Sequence, residues 1–151
     1  PGVVIMTAND MTVFEKNPEV LRRGRFDAIF FVDLPNEVER EAIWRIHIIR
    51  TKRTPENYGL AELVKASEGC SGADIEGAVT DAMHTGFSDK RREYTTDDIL
   101  AALGRIPRSQ GSPARMQEIR AWAAANARPA SRQAAVKAKD GDRFKAIKGS
   151  E

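Results

Sequence analysis

The chain has 151 residues, with 24 Lys or Arg against 22 Asp or Glu, 41% hydrophobic and 30% charged, a balance that suits one ordinary soluble domain with appendages. No apolar run approaches the ~20 residues needed to span a bilayer, and the first residues lack the basic start of a signal peptide. Cys70 is the single cysteine, which excludes an internal disulfide and fits a reducing compartment, and two distant histidines, His47 and His84, argue against a zinc site.

In chain order, Val3 to Met6 is a β-branched apolar run, the pattern of a strand buried on both faces of a parallel sheet. The turn formers Thr7-Ala8-Asn9-Asp10 end it. Pro18 to Arg22 predicts one or two helical turns opened by proline, and Gly24 breaks them. Ala28 to Leu34 (AIFFVDL) predicts a second buried strand, stopped by Pro35. With no initiator Met and only two such strands, the chain reads as a piece of something longer.

Beyond Pro35 the pattern is helical. Asn36 is an N-cap, with Glu39 three residues on to reach back to its amide. Ile43, Ile46 and Arg50 fall along one side of the helix that follows, with Trp44 and Ile48 close by. Leu60, Leu63 and Val64 form a short stripe after Gly59. Ser71 with Asp74 opens a helix marked by Ile75, Ala78, Val79, Ala82, Met83 and Phe87. Thr95 with Asp98 opens another, carrying Ile99, Leu100 and Leu103. Residues 107 to 113 form a polar link, and a last helix is expected from about Pro113 to Ala127, with Met116, Ile119, Trp122 and Ala123 on its apolar side. From Arg128 onward seven basic residues face three acidic ones, a local net charge of +4, so the preceding part carries −2. This basic end is Ala-rich with little apolar content and is expected to be disordered.

Several strings then combine. "VVIMTAND", "PEVLRRGRFD", "FFVDLPNEVERE", "IWRIHI" and "SEGCSGADIEGAVTDA" stand in order over roughly the first 105 residues. Together they resemble the C-terminal part of the AAA (AAA+) ATPase module, closest in wording to the stand-alone AAA proteins of cyanobacterial and plastid type. The resemblance implies an α/β fragment, the end of a parallel P-loop-type sheet, over residues 1–35. An all-α helical lid of about four helices would follow over residues 36–106, then an extra C-terminal helix at 107–127 and a disordered basic tail at 128–151.

The resemblance also implies roles. Asn9 matches the sensor-1 position, where a neutral amide can hydrogen-bond the attacking water or the γ-phosphate; Thr-Ala-Asn-Asp taken alone would favour a turn-supporting role instead. Arg25, in Gly24-Arg25-Phe26-Asp27, matches the arginine finger that reaches the neighbouring subunit's nucleotide and stabilises charge in phosphoryl transfer. Its plain alternative is a surface ion pair with Asp27 or Asp33. Many relatives carry a second Arg where this chain has Ala28. Ile43 and His47 match the lid residues that meet the adenine, although His47 could equally be an ordinary amphipathic helix residue. Gly72 and Ala73 match positions lining the nucleoside, and Asp74 reads also as a helix N-terminal charge.

The sequence contains no G-x-x-x-x-G-K-S/T and no apolar strand ending in paired acids. In the family those Walker A and Walker B parts, which hold the phosphates and Mg²⁺, precede sensor 1. The expectation is an ATP-binding, ATP-hydrolysing protein that forms a hexamer-type homo-oligomeric ring and remodels a protein or other macromolecule, in the cytoplasm or, for a plastid source, the stroma. This segment by itself is expected to be inactive and to hold no metal. The alternative is a helical module that binds protein or nucleic acid through its basic tail. Against it, that tail offers a single aromatic, Phe144, for stacking bases. A Walker A motif in upstream coding sequence would separate the two.

Overall fold

The computed structural model describes residues 2–9, 12–17, 19, 22, 24, 26–107 and 113–131. They divide into two compact units: Leu34–Ser112, and Pro1–Asp33 together with Pro113–Glu151. Six helices and one short parallel two-stranded sheet account for their α and β structure, as expected of a strand end followed by a helical lid.

The unit Leu34–Ser112 holds α2 (Glu37–Arg50), a 3-10 turn (Pro55–Asn57), α3 (Leu60–Ala66), α4 (Gly72–Ser88) and α5 (Thr96–Arg105). Three of these helices start where short polar side chains dictate. Asn36, Ser71 and Thr95 each cap the amide three residues on, and Glu39, Asp74 and Asp98 reach back to the capping residue's own amide. Such reciprocal boxes satisfy donors that a helix start otherwise leaves bare.

The core is built from Trp44 and Ile48 of α2, Leu63 and Val64 of α3, Ile75, Ala78, Val79 and Ala82 of α4, and Ile99, Ala102 and Leu103 of α5, with Cys70 and Tyr94. The face of α2 differs from the one its apolar pattern suggests. Trp44 and Ile48 point inward, while Ile46 and Ile49 are 54% and 58% exposed. Likewise Met83 and Phe87 lie outside the buried stripe of α4. Trp44 is fully buried and donates from Nε1 to Ser67 Oγ at 3.0 Å, and the Ser67 hydroxyl in turn donates a hydrogen bond to the Val64 carbonyl at 3.1 Å. A buried indole therefore leaves no unmet donor.

The turn between α4 and α5 is held by close backbone approach and by charge. A Cβ on Gly86 would stand 2.7 Å from the Arg92 carbonyl and 3.0 Å from the Tyr94 amide, so only glycine lets the chain fold back there. Arg92 grips both oxygens of Asp98, at 2.6 and 2.9 Å, and also Asp89. The Arg92 guanidinium, seconded by the Thr95 cap against the cost of desolvation, holds the Asp98 carboxyl well below the usual carboxylate range. A depressed folded-state pKa adds stability above the unfolded value, about 3.9, and that stability is lost as the pH falls below it.

The other unit holds α1 (Thr12–Lys16), β1 (Phe30–Phe31), α6 (Pro113–Asn126) and β2 (Arg128–Pro129). β1 pairs in parallel with β2, the Arg128 amide donating to Ile29 O at 2.8 Å and the Ala130 amide to Phe31 O at 2.9 Å. Phe14 stacks on Trp122 with ring centroids 5.2 Å apart, and Arg120 clasps both oxygens of Asp33.

Several expectations change here. Val3 to Met6 is exposed and unassigned to a strand, since an extended run becomes a strand only beside a hydrogen-bonded neighbour. The second strand shrinks from seven residues to Phe30–Phe31 for the same reason. Within 18–22 only Glu19 and Arg22 are described, and the Arg22 amide donates to Glu19 O at 3.3 Å. Of the end expected to be disordered, residues 128–131 are described, and Arg128–Pro129 form β2; residues 132–151 lie outside the described ones.

Candidate functional site

Two rungs connect α2 and α4, which pack against each other. Residues four apart on a helix share a face, so α2 presents Ile43 and then His47, and α4 presents Gly72 and then Glu76. On the first rung, a Cβ on Gly72 would stand 3.9 Å from Ile43 Cδ1. On the second, His47 Nδ1 lies 3.8 Å from Glu76 Oε1. The His47 side chain is only 14% exposed, and Arg50, from the next stretch of α2, reaches the same Glu76 oxygen at 3.4 Å. Ile43 is half-buried against the core, and Ala73, beside Gly72, is exposed.

The start of α4 is fixed by its cap. Asp74 is 5% exposed and takes hydrogen bonds from the Ser71 amide and hydroxyl at 2.7 and 2.9 Å. Those contacts commit it to the helix start, the second of the two roles its position suggests. The rung face then combines an aliphatic side chain, a small-residue patch and an imidazole, with the Glu76 carboxylate beside the imidazole. A flat, partly apolar ring with a hydrogen-bonding edge suits it.

Four of the six site residues singled out by sequence thus meet in one unit: Ile43, His47, Gly72 and Ala73. Asn9 is exposed at a bend in the other unit. Arg25 lies outside the described residues. Just before it, Gly24 takes φ of 93°, a left-handed turn natural to glycine, and Ala28 is exposed. The Asp33 carboxylate, one partner considered for Arg25, accepts hydrogen bonds from Arg120. Sequence reasoning missed Glu76 and Arg50. Their signal was the matched four-residue spacing, Ile43 to His47 and Gly72 to Glu76, which acquires meaning only once α2 and α4 are known to touch.

Another concavity, of about 460 Å³, is lined by Arg53, Tyr58, Glu93, Tyr94 and neighbours. There Arg53 pairs with Glu93, the Tyr94 hydroxyl lies 2.7 Å from Thr51 Oγ1, and Tyr58 stacks on Tyr94. Among the described residues no group of three His, Cys, Asp or Glu could hold a metal ion, and no helix is long and apolar enough to cross a membrane.

Comparison with known proteins identifies the family. The family profile of the AAA+ lid domain matches residues 59–101. The uncharacterized AAA domain-containing protein ycf46 of Pyropia yezoensis is 40% identical over 125 residues, 82% of this chain and 25% of that protein. The ATP-dependent zinc metalloprotease FtsH 2 of Sphaerobacter thermophilus is 37% identical over 68% of this chain and 15% of its own length. For the proteasome-activating nucleotidase of Methanopyrus kandleri the figures are 37%, 68% and 23%. The chain therefore spans a quarter or less of each of these three relatives.

Proposed function

We propose, from the premise that this chain belongs to the AAA ATPase family and carries its AAA+ lid domain, that the complete protein binds ATP with the base seated on the rung face of α2 and α4. The observation that carries this reading is the approach of Ile43 to Gly72 and of His47 to Glu76 on two packed helices, with Ala73 beside Gly72. Ile43 offers an apolar side to the base, Gly72 and Ala73 let backbone approach it, and His47 offers a ring nitrogen to its edge.

The phosphates and Mg²⁺ do not fit this face, where the Glu76 carboxylate stands beside His47 and no metal cluster exists among the described residues. We assign them to Walker A and Walker B residues outside this sequence. Mg²⁺ held there would neutralise charge on the phosphates. From this chain, Asn9 supplies a neutral hydrogen-bonding amide near the γ-phosphate, and Arg25 a guanidinium for the neighbouring subunit. That division of labour makes a ring-shaped homo-oligomer the working form, with hydrolysis coupled to remodelling of a macromolecule. Cys70, the single cysteine of the sequence, is buried, which suits a reducing compartment, the cytoplasm or a plastid stroma.

The test is a substitution that fills the base face without touching the core. Gly72→Val adds a branched side chain beside Ile43 and is expected to weaken ATP binding by about 10-fold or more. The melting temperature should stay near that of the parent. Equal ATP affinity in a folded Gly72→Val protein would place the base elsewhere.

A further inference from the structure

We infer that Glu76 is a positioning residue that makes the base site prefer adenine to guanine, by setting which nitrogen of His47 carries the proton. The inference rests on the proposed base site and goes one step deeper into it.

The geometry begins with the second rung. Glu76 Oε1 lies 3.8 Å from His47 Nδ1. That is too long for a hydrogen bond, yet a carboxylate facing one ring nitrogen favours the N–H on that nitrogen. Arg50 faces the same oxygen at 3.4 Å, so the carboxylate sits between a guanidinium and an imidazole, both from α2. With the proton on Nδ1, a neutral His47 keeps Nε2 as a lone-pair acceptor. Adenine presents an exocyclic amine, a donor, where guanine presents a carbonyl oxygen, an acceptor. An acceptor at Nε2 therefore matches adenine, while guanine would oppose two lone pairs and leave both unmet. The Glu76 side chain is 57% exposed, so water weakens its field and the expected preference is moderate.

Two measurements test this. The first uses ¹⁵N NMR of the imidazole in the chain itself. Nδ1 should be the protonated nitrogen in the parent, Glu76→Gln should keep that tautomer through its carbonyl oxygen, and Glu76→Ala should shift the balance toward Nε2–H. The second measures binding of fluorescent ATP and GTP to the protein made from its complete coding sequence. The parent should favour ATP by about 10-fold or more. Glu76→Gln should retain most of that ratio. Glu76→Ala should narrow it, and Glu76→Lys, which repels a proton from Nδ1, should narrow it further or invert it. Melting curves identify any variant that fails to fold, and Glu76→Ala carries the test if Glu76→Lys does.

A parent that favours ATP by a ratio indifferent to Glu76, or an imidazole tautomer unmoved in Glu76→Ala, overturns the inference while leaving the base site intact. A parent that binds neither nucleotide removes the base site, and this inference with it.

Discussion

Arg25→Ala in the complete protein is expected to lower ATP turnover by on the order of 10³-fold while leaving ATP affinity nearly unchanged. The reasoning is that a guanidinium supplied in trans meets charge that develops in the transition state, and removing it costs rate rather than ground-state binding. Gly24 turns the chain with φ of 93° just ahead of Arg25. With Ala28 rather than a second Arg beside this motif, the loss should fall at the lower end if a single finger is a weak one. Mixing subunits separates a role in trans from a local one. An Arg25→Ala subunit keeps its own nucleotide site and a Walker-lysine mutant keeps its finger, so a mixed ring contains some complete interfaces and should recover part of the activity. Rings that form yet recover nothing, together with a lowered melting temperature of Arg25→Ala, would make Arg25 a structural ion-pair residue.

Trp44→Ala should cost the unit around α2 about 3–5 kcal/mol, the range for emptying a fully buried large aromatic site. Trp44 fills the middle of the core at 0% exposure, and its indole N–H is the proton that Ser67 Oγ receives. Removing it leaves a cavity against Ile48, Leu63, Ile75 and Ile99 and takes away the donor that meets a fully buried hydroxyl. At about 4–8 °C per kcal/mol for a domain of this size, the melting temperature should drop by more than ~12 °C. Trp44→Phe keeps most of the volume and loses only the hydrogen bond, so it should cost roughly half as much or less. Because Ile43 and His47 ride on the same helix, ATP binding should weaken in Trp44→Ala in step with stability. A melting temperature within a few degrees of the parent would mean that α2 is held by something other than this core.

What the sequence made legible was local. The capping pairs Asn36 with Glu39, Ser71 with Asp74, and Thr95 with Asp98 located three helix starts, because the residues that signal each start also make its hydrogen bonds. Gly59 and Pro113 marked two more. Ile43, His47, Gly72 and Ala73 were legible as a group only through family resemblance, since no spacing in the sequence reveals that residues 43–47 meet residues 72–76. What stayed hidden was non-local. α1 has five residues, too few for an apolar period. The pairing of Phe30–Phe31 with Arg128–Pro129 spans nearly 100 residues, and a Pro followed by an Ala-rich basic stretch carries no strand pattern. Arg120 and Asp33, 87 residues apart, are unremarkable charges until the fold brings them together. On α2, the apolar residues surround the helix, so Ile46 and Trp44 competed as core residues, and only packing decided for Trp44.

The most direct test of the base site is photochemical. The complete protein is loaded with 8-azido-ATP, irradiated, digested and mapped by mass spectrometry, with excess ATP as the competitor. The label should fall on peptides containing residues 43–47 or 72–76 and should disappear when ATP is added. Competed label found only on other peptides would contradict the assignment of the base to the face of α2 and α4.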